Sequence, residues 1–483
     1  MRLKICIYAF STTAYFFRAL IELCNARKDD IEWSVIFPQG HFRQVFRGVI
    51  PPERQFYLYE DFARRYAAVD AGQVQRAMDS GEGLVSALLR DKLGFRLLDK
   101  SEQLKRGAAI DVGYREFLMR IAPDYLLLTS PENVDDLILH NLCAELKTGA
   151  LCFTAMRFVG LSFFGDDPHE SLPKYFGSYR PNDVSTARNI IGAFRAGMPL
   201  TPAAAYPART LRWPSLPRRM VYNEYLRWRY ERLHATEHGY GVRIKHNLLP
   251  LVRQLRRQRF DRVLIRYFDI GAGDTGRLPD KYILYALQYT PESSINALDP
   301  YFVDQTRVID ALLLSLPKGF QLVVKEHPAM YGIRPGSFYR TLRHKPGLVL
   351  VHPSFDTREL AMRAGLIATV NGTIGLEAFL LDKPCIMFGR NFFAHLCARA
   401  PVVNEMPRFV QHLVDSYTPT SEERKEVEIA KFVNIGGDFL IADPRYWRSV
   451  VSDENVAAAR ECLRSHLSRL GARDGSLYQA ISG

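Results

Sequence analysis

Six short apolar runs fill the second half of the chain: Arg262–Tyr267, Tyr282–Ala286, Phe320–Val324, Leu348–Val351, Leu366–Val370 and Cys385–Phe388. The stretches between them, among them Asp304–Leu314, Ser337–Leu342, Thr357–Arg363 and Gly375–Leu381, have helical period. Strands that alternate with helices form βαβ units, whose strands pair in parallel. A looser version of the same rhythm opens the chain. Lys4–Phe10, Trp33–Phe37 and Tyr125–Leu128 read as buried strands, Asn133–Lys147 as a helix and Ala150–Thr154 as the strand that follows it. The expected fold is therefore α/β with two Rossmann-like domains. A helical segment ends the chain, and its last helix, Asp453–Leu470, is capped by Ser452 or Asp453.

Between the halves the pattern changes. From Gly160 to Pro217 it breaks into Gly, Pro, Asp and Ala, with one expected helix at Asp183–Ala196. Tyr222–Leu233 and Leu249–Arg259 read as helices rich in arginine and aromatic residues. These shifts divide the chain into an N-terminal α/β domain at 1–200, a basic aromatic-rich linker at 201–261, a C-terminal α/β domain at 262–410 and a helical segment at 411–483.

The strand Leu366–Val370 runs into Asn371-Gly372-Thr373-Ile374-Gly375-Leu376-Glu377, a tight turn followed by a helix start. Asn371 and Gly372 suit the turn. Thr373 or Gly375 can begin the helix, whose unpaired amides and dipole attract a phosphate. Glu377 lies in the first helical turn, where its carboxylate can accept hydrogen bonds from a ribose diol. From another strand end, Lys325-Glu326-His327-Pro328 brings His327 as a donor to the phosphate and Lys325, two residues away on the same face, as added charge. Each piece alone also suits an ordinary strand end or turn. Together they describe a nucleotide pocket at the carboxyl edge of an open parallel sheet. No Asp-x-Asp motif ends a strand, so the expected chemistry uses no metal and no cofactor.

These residues resemble the bacterial capsule polysaccharide biosynthesis family. The resemblance rests on Leu287–Ser294, Tyr301–Gln305, Lys325–Pro328 and the Asn371–Pro384 block, and it covers about Tyr282 to Gly389. That family includes retaining transferases that move 3-deoxy-manno-octulosonic acid (Kdo) from its CMP-activated form. The resemblance implies a two-domain glycosyltransferase fold of the GT-B type, with donor nucleotide on the C-terminal half and acceptor on the N-terminal half. It thereby makes 1–200 the acceptor-side domain and 262–410 the nucleotide-binding domain. In the resembling transferases a Gln followed four residues later by a nucleophilic Asp occupies the place of Gln288 and Glu292. The acid here is one methylene longer, which moves the carboxylate by more than about an ångström unless the backbone compensates. The same Glu292 also suits a helix cap at Ser293.

Hydrophobic and charged content, 47% and 24%, are those of a globular protein, and no apolar run approaches a membrane span. Seven scattered cysteines without a CxxC pair read as reduced core residues, and a short first apolar run as a strand rather than a leader, which together imply a cytoplasmic protein. The formal charge of +12 is concentrated between Arg209 and Arg266, which holds fifteen Lys or Arg and four acids. Trp213, Tyr222, Tyr225, Trp228 and Tyr230 interleave with arginines there. The segment suits an interfacial helix on an anionic membrane, which would make the protein peripheral at the inner face of the cytoplasmic membrane. It suits a solvated linker equally, and nucleic acid least, because no nucleic-acid-binding motif accompanies it.

On the N-terminal half Ser11 and Thr12 (with Thr13) follow the first strand, placed to meet an acceptor or to cap a helix. Glu132 and Asp135 follow another strand, as an acid or base or as helix-start carboxylates. The functional expectation is a transferase of surface polysaccharide assembly. It takes a sugar from a nucleotide donor, with CMP-Kdo implied by the resemblance, to a glycan or glycolipid acceptor. A sugar- or glycerol-phosphate transferase, and a non-catalytic nucleotide-binding partner in a capsule assembly complex, are the alternatives.

Overall fold

The computed structural model describes residues 2–474 except 10–12, 39, 92–97, 130, 132, 157–159, 168–171, 201–264, 272–273, 332–333 and 442–446. Ser11, Thr12 and Glu132, the helices expected at Tyr222–Leu233 and Leu249–Arg259, and all but two residues of the basic segment lie outside the described residues.

Two compact units result. The first comprises the described residues up to 200 together with those from Glu426 onward, and the second comprises residues 265–425. The first unit holds β1 (Leu3–Tyr8), β2 (Ile31–Phe37), β3 (Gln55–Tyr57), β4 (Tyr125–Thr129), β5 (Gly149–Ala155) and β6 (Leu161–Gly165). The second holds β7 (Tyr282–Ala286), β8 (Gln321–Lys325), β9 (Leu348–Val351), β10 (Leu366–Thr369), β11 (Cys385–Met387) and β12 (Ala398–Arg399); β13 (Gly437–Asp438) returns to the first. The sheets run β13-β6-β5-β4-β1-β2-β3 and β12-β11-β10-β7-β8-β9.

Read from their first strands, both sheets have the 3-2-1-4-5-6 winding of a Rossmann fold. The second is parallel throughout. The first is parallel except at β6, which pairs antiparallel with both β5 and β13. Helices cover both faces, so successive strand residues enter opposite cores. Leu3, Ile5 and Ile7 of β1 join one hydrophobic cluster while Cys6 and Tyr8 join the other. In the second unit Ile283 and Tyr285 face one way and Tyr282 and Leu284 the other.

Two departures from the sequence reading stand out. Ile265–Tyr267 is a 3-10 turn rather than the end of a strand. The edge of β9 is met instead by a bridge from Ile270 to Val351, with Asp269 N donating to Leu350 O at 2.8 Å. The tail expected as its own segment is divided between the units, the boundary falling within the helix Glu422–Ile435. Beyond it, Phe439 stacks on Phe16 and Phe164, and Arg460 of the last helix, Asp453–Asp474, pairs with Asp29. The last residues thus help form the core of the first unit. All seven cysteines are free and six are buried. No helix among the described residues is long and apolar enough to cross a membrane.

Candidate active site

In the second sheet the winding reverses between β7 and β10, so a crevice opens beyond their carboxyl ends. The segments that follow β7, β8 and β10 carry Gln288–Glu292, His327 and Asn371–Thr373 respectively.

His327 follows Lys325 and Glu326 out of β8. Its Nδ1 accepts from Ala329 N at 3.1 Å, which places the proton of the neutral ring on Nε2. Burial, reinforced by the positive charges of Lys325 and Arg334, pushes its pKa down to about 4. His327 is therefore an uncharged donor at neutral pH. Fully buried Glu326 holds the main chain at this point: it accepts from His327 N at 2.6 Å and Tyr339 Oη at 2.8 Å, and pairs with Arg334 at 3.0 Å. Lys325 is also buried, and Nζ donates to Pro353 O at 3.2 Å. Burial lowers its pKa to about 8, with Glu326 and Asp356 opposing the shift. Its charge thus reaches the site as a field from beneath.

The turn after β10 is braced from within. Gly372 N donates to Thr369 Oγ1 at 3.0 Å. In the amide orientation that satisfies its neighbours, Gln288 accepts from Asn371 N at 2.8 Å and Gly372 N at 3.0 Å and donates to Asn371 Oδ1 at 2.8 Å. Asn371 Nδ2 donates to Asp299 Oδ2 at 2.6 Å and to Ser294 O. Both amide side chains are buried and hold the loops together.

The helix itself, Ile374–Leu380, is short, and one expectation about its amides needs correcting. Gly375 N is already bonded to Gly372 O at 3.0 Å, leaving the Thr373 and Ile374 amides without a main-chain acceptor among the described residues. Gly375 is closely packed: a Cβ there would lie 2.8 Å from Met387 Cε and 3.2 Å from Cys397 Sγ, so the methionine end would have to move. Gly372 has a similar constraint, 2.9 Å from Thr369 Oγ1.

Two carboxylates are uncommitted. Glu292 is half-buried, and its main-chain N–H donates to Asn296 Oδ1 at 3.0 Å. Glu377 is half-buried, its pKa raised by burial against the opposing charge of Arg358. Neither side chain forms a hydrogen bond or ion pair among the described residues.

In the first unit Asp135 lies in the first turn of the helix Val134–Leu146, beyond β4 and beside the end of β1. It accepts from Tyr8 Oη at 2.7 Å. Burial, with Asp91 adding negative charge, raises its pKa to about 6, although the Tyr8 bond pulls the other way. Its neighbour Asp136 closes a capping interaction by accepting from Asn133 N at 2.8 Å. The Tyr114 hydroxyl, within electrostatic reach of Asp135, is buried with no hydrogen-bond partner among the described residues. No group of three or more potential metal ligands occurs among the described residues.

The structure thus brings His327, Gln288, Glu292, Asn371, Gly372 and Thr373 onto the loops at the carboxyl edge of one sheet, with Lys325 at the end of β8 and Gly375 and Glu377 in the helix after β10, and sets Asp135 on the other unit. It adds Gln305, Asp299, Glu326 and Arg334, none of which was singled out from the sequence as a site residue.

Residues 245–396 match the family model described as capsule polysaccharide biosynthesis protein, and the match encloses the block in which the resemblance was read. No curated protein sequence matches the chain. Among solved structures, the Thermosulfurimonas dismutans KpsC beta Kdo 2,4 transferase aligns at 12% identity over 64% of this chain and 79% of its own, with a TM-score of 0.36. The beta Kdo 2,7 transferase of the same KpsC aligns at 12% over 66% and 79%, with a TM-score of 0.31. Methanocaldococcus jannaschii UDP-GlcNAc 2-epimerase, in complex with UDP-GlcNAc and UDP, aligns at 11% over 89% and 99%, with a TM-score of 0.26.

Proposed function

We propose that this chain is a glycosyltransferase of capsule polysaccharide biosynthesis that takes its sugar from a nucleotide-activated donor bound on the second unit. The observation that carries the proposal is His327, held neutral with its proton on Nε2 at the end of β8, beside a crevice whose two uncommitted carboxylates are Glu292 and Glu377. The family match over residues 245–396 supports the biological setting. The donor base and sugar come from the sequence resemblance alone, which favours CMP-Kdo.

In this reading the ribose diol donates to Glu377, and the phosphate meets His327 Nε2–H and the Thr373 and Ile374 amides. As the bond from anomeric carbon to phosphate oxygen breaks, negative charge grows on the leaving phosphate. A donor already aimed there stabilises it without reorganisation. A neutral imidazole suits this role because it donates without first having to gain a proton. Lys325 adds positive potential. Positive charge grows on the anomeric carbon, where a carboxylate such as Glu292 stabilises it or attacks it. Gln288 and Asn371 position the turn. The leaving phosphate is met by side-chain and main-chain donors, so the reading needs no metal. On the first unit Asp135, with Tyr8 on one oxygen, is a carboxylate for an acceptor hydroxyl of a glycan or glycolipid. The basic segment 209–266 fits work beside an anionic membrane at its cytoplasmic face.

Incubating the protein with CMP- and UDP-sugars and following nucleotide release tests the proposal and identifies the base. Release of nucleotide with transfer or slow hydrolysis of the sugar is expected. Tight nucleotide binding without release would make the chain a non-catalytic partner. Transfer of a phosphate-linked unit would make it a sugar- or glycerol-phosphate transferase.

A further inference from the structure

Behind the loops that carry His327 and Glu292 runs a line of buried polar groups with no contact to the crevice in the proposed reading. Gln305, 1% exposed, precedes the helix Thr306–Leu313. Its Oε1 accepts from Gln288 N at 2.7 Å, and its Nε2 donates to Gln288 O at 3.1 Å and to Thr290 Oγ1 at 3.2 Å. One side-chain amide thus imitates both rungs of a strand pairing for a residue that lies beyond the end of β7.

Arg334 donates to the same Gln288 carbonyl at 2.6 Å, so both lone pairs of that oxygen are engaged, one by a charged donor. Through its Nε, Arg334 pairs with Glu326 at 3.0 Å, and Glu326 accepts from His327 N. The line is continuous: His327 main chain, Glu326, Arg334, Gln288 carbonyl, Gln305. One end is the residue proposed to meet the phosphate. The other is the arm Gln288–Thr290, two residues before Glu292.

A buried polar network must be satisfied in any fold. Satisfaction alone does not account for Gln305, Arg334 and, at 3.4 Å, the Thr290 hydroxyl all converging on one carbonyl in a short arm, or for the opposite end stopping at His327. We infer that Gln305 is a positioning residue: acting through the main chain of Gln288, with Arg334 as the shared clamp, it fixes the arm bearing Glu292 relative to His327. This inference rests on the glycosyltransferase reading for its catalytic consequence. Its mechanical part stands apart from that reading.

The test is Gln305→Ala, with Gln305→Glu beside it. The glutamate keeps an acceptor for Gln288 N but replaces the donor to Gln288 O by a second acceptor. A misplacement of about an ångström in a reacting group costs on the order of 100-fold. For both variants kcat for hydrolysis of the accepted nucleotide-sugar should fall by roughly 10- to 100-fold. KM, and the calorimetric Kd for CMP or UDP, should stay within about threefold of the original values, well under the tenfold that 1.4 kcal/mol represents. Amide hydrogen exchange should quicken at 288–292 in Gln305→Ala while β8 and β10 remain protected. Unchanged exchange at 288–292 would overturn the inference, as would a loss that appears in nucleotide affinity rather than in kcat. If the original protein turns over no nucleotide-sugar, the proposed function fails, while the exchange result still decides whether Gln305 holds the arm.

Discussion

The two units wind their sheets in the same order and therefore open a crevice at the same topological point, beyond their first and fourth strands. What lines the two crevices differs in sign. In the second unit the loops present a neutral histidine donor, main-chain amides and the field of a buried lysine. In the first, Asp135 accepts from the buried Tyr8 hydroxyl, and the buried Asp91 and Tyr114 lie within electrostatic reach of it. In the proposed reading the phosphate therefore belongs to the former, because the carboxylates of the latter would repel it. Hydroxyl groups, which donate to carboxylates, fit the latter. The shared winding determines where a ligand can sit, and the few residues after each strand determine which ligand it is.

The largest expected effect breaks the second crevice chemically. Glu292→Gln keeps the size and much of the hydrogen bonding but cannot attack or stabilise a cationic carbon. Turnover should fall by on the order of 10⁴-fold, as for removal of a reacting group, with donor binding retained. An active variant would remove Glu292 from the chemistry and direct attention to Asp135. Next is His327→Ala, expected to cost about 3 kcal/mol in the transition state, seen as a drop in kcat of the folded variant. Turnover within a few-fold of the original would refute the phosphate role.

His327 also sharpens the comparison through pH. Its folded pKa of about 4 lies below the ordinary value of 6.5, so the folded protein binds fewer protons than the unfolded chain between these values. The stability gained is full above pH 6.5 and is lost as pH falls toward 4. His327→Gln should flatten that acid limb in denaturant titrations. Asp135 has the opposite sign. Its pKa is raised from 3.8 to about 6, so the folded state is penalised as pH rises through this window. Asp135→Asn should therefore stabilise the protein at pH 7 by up to about 2 kcal/mol while impairing transfer to acceptor. Loss of stability at neutral pH would contradict the assignment of a strained carboxylate.

Much of this was legible in the sequence because it is local. Tyr282–Ala286, Leu348–Val351 and Thr357–Arg363 lie where their apolar patterns put them. The turn Asn371-Gly372 and the strand-end His327 could be read from neighbours within a few positions. The brace could not. Gln305 meets Gln288 across 17 positions and Arg334 meets it across 46, and nothing near Gln305 announces a partner. The surroundings of Gly375 were illegible for a related reason: its N–H bonds to Gly372 O nearby, but Met387 and Cys397, which crowd it, lie 12 and 22 positions away. Ile265–Tyr267 has the apolar character of a strand, yet Tyr267 stacks on Tyr339, Phe268 packs against the same ring at a tilt, and Ile270 makes the pairing.

The central claim, that the nucleotide belongs to the second crevice and not the first, is tested most directly by calorimetry with free CMP and UDP. The measurement compares the original protein with Glu377→Ala and Asp135→Asn. Glu377 is proposed to hold the ribose, which does not react, so its loss should weaken binding by about tenfold, or 1.4 kcal/mol. Asp135→Asn should leave the affinity unchanged. Nucleotide binding that is indifferent to Glu377 and reduced by Asp135→Asn would place the nucleotide on the other unit and contradict the account.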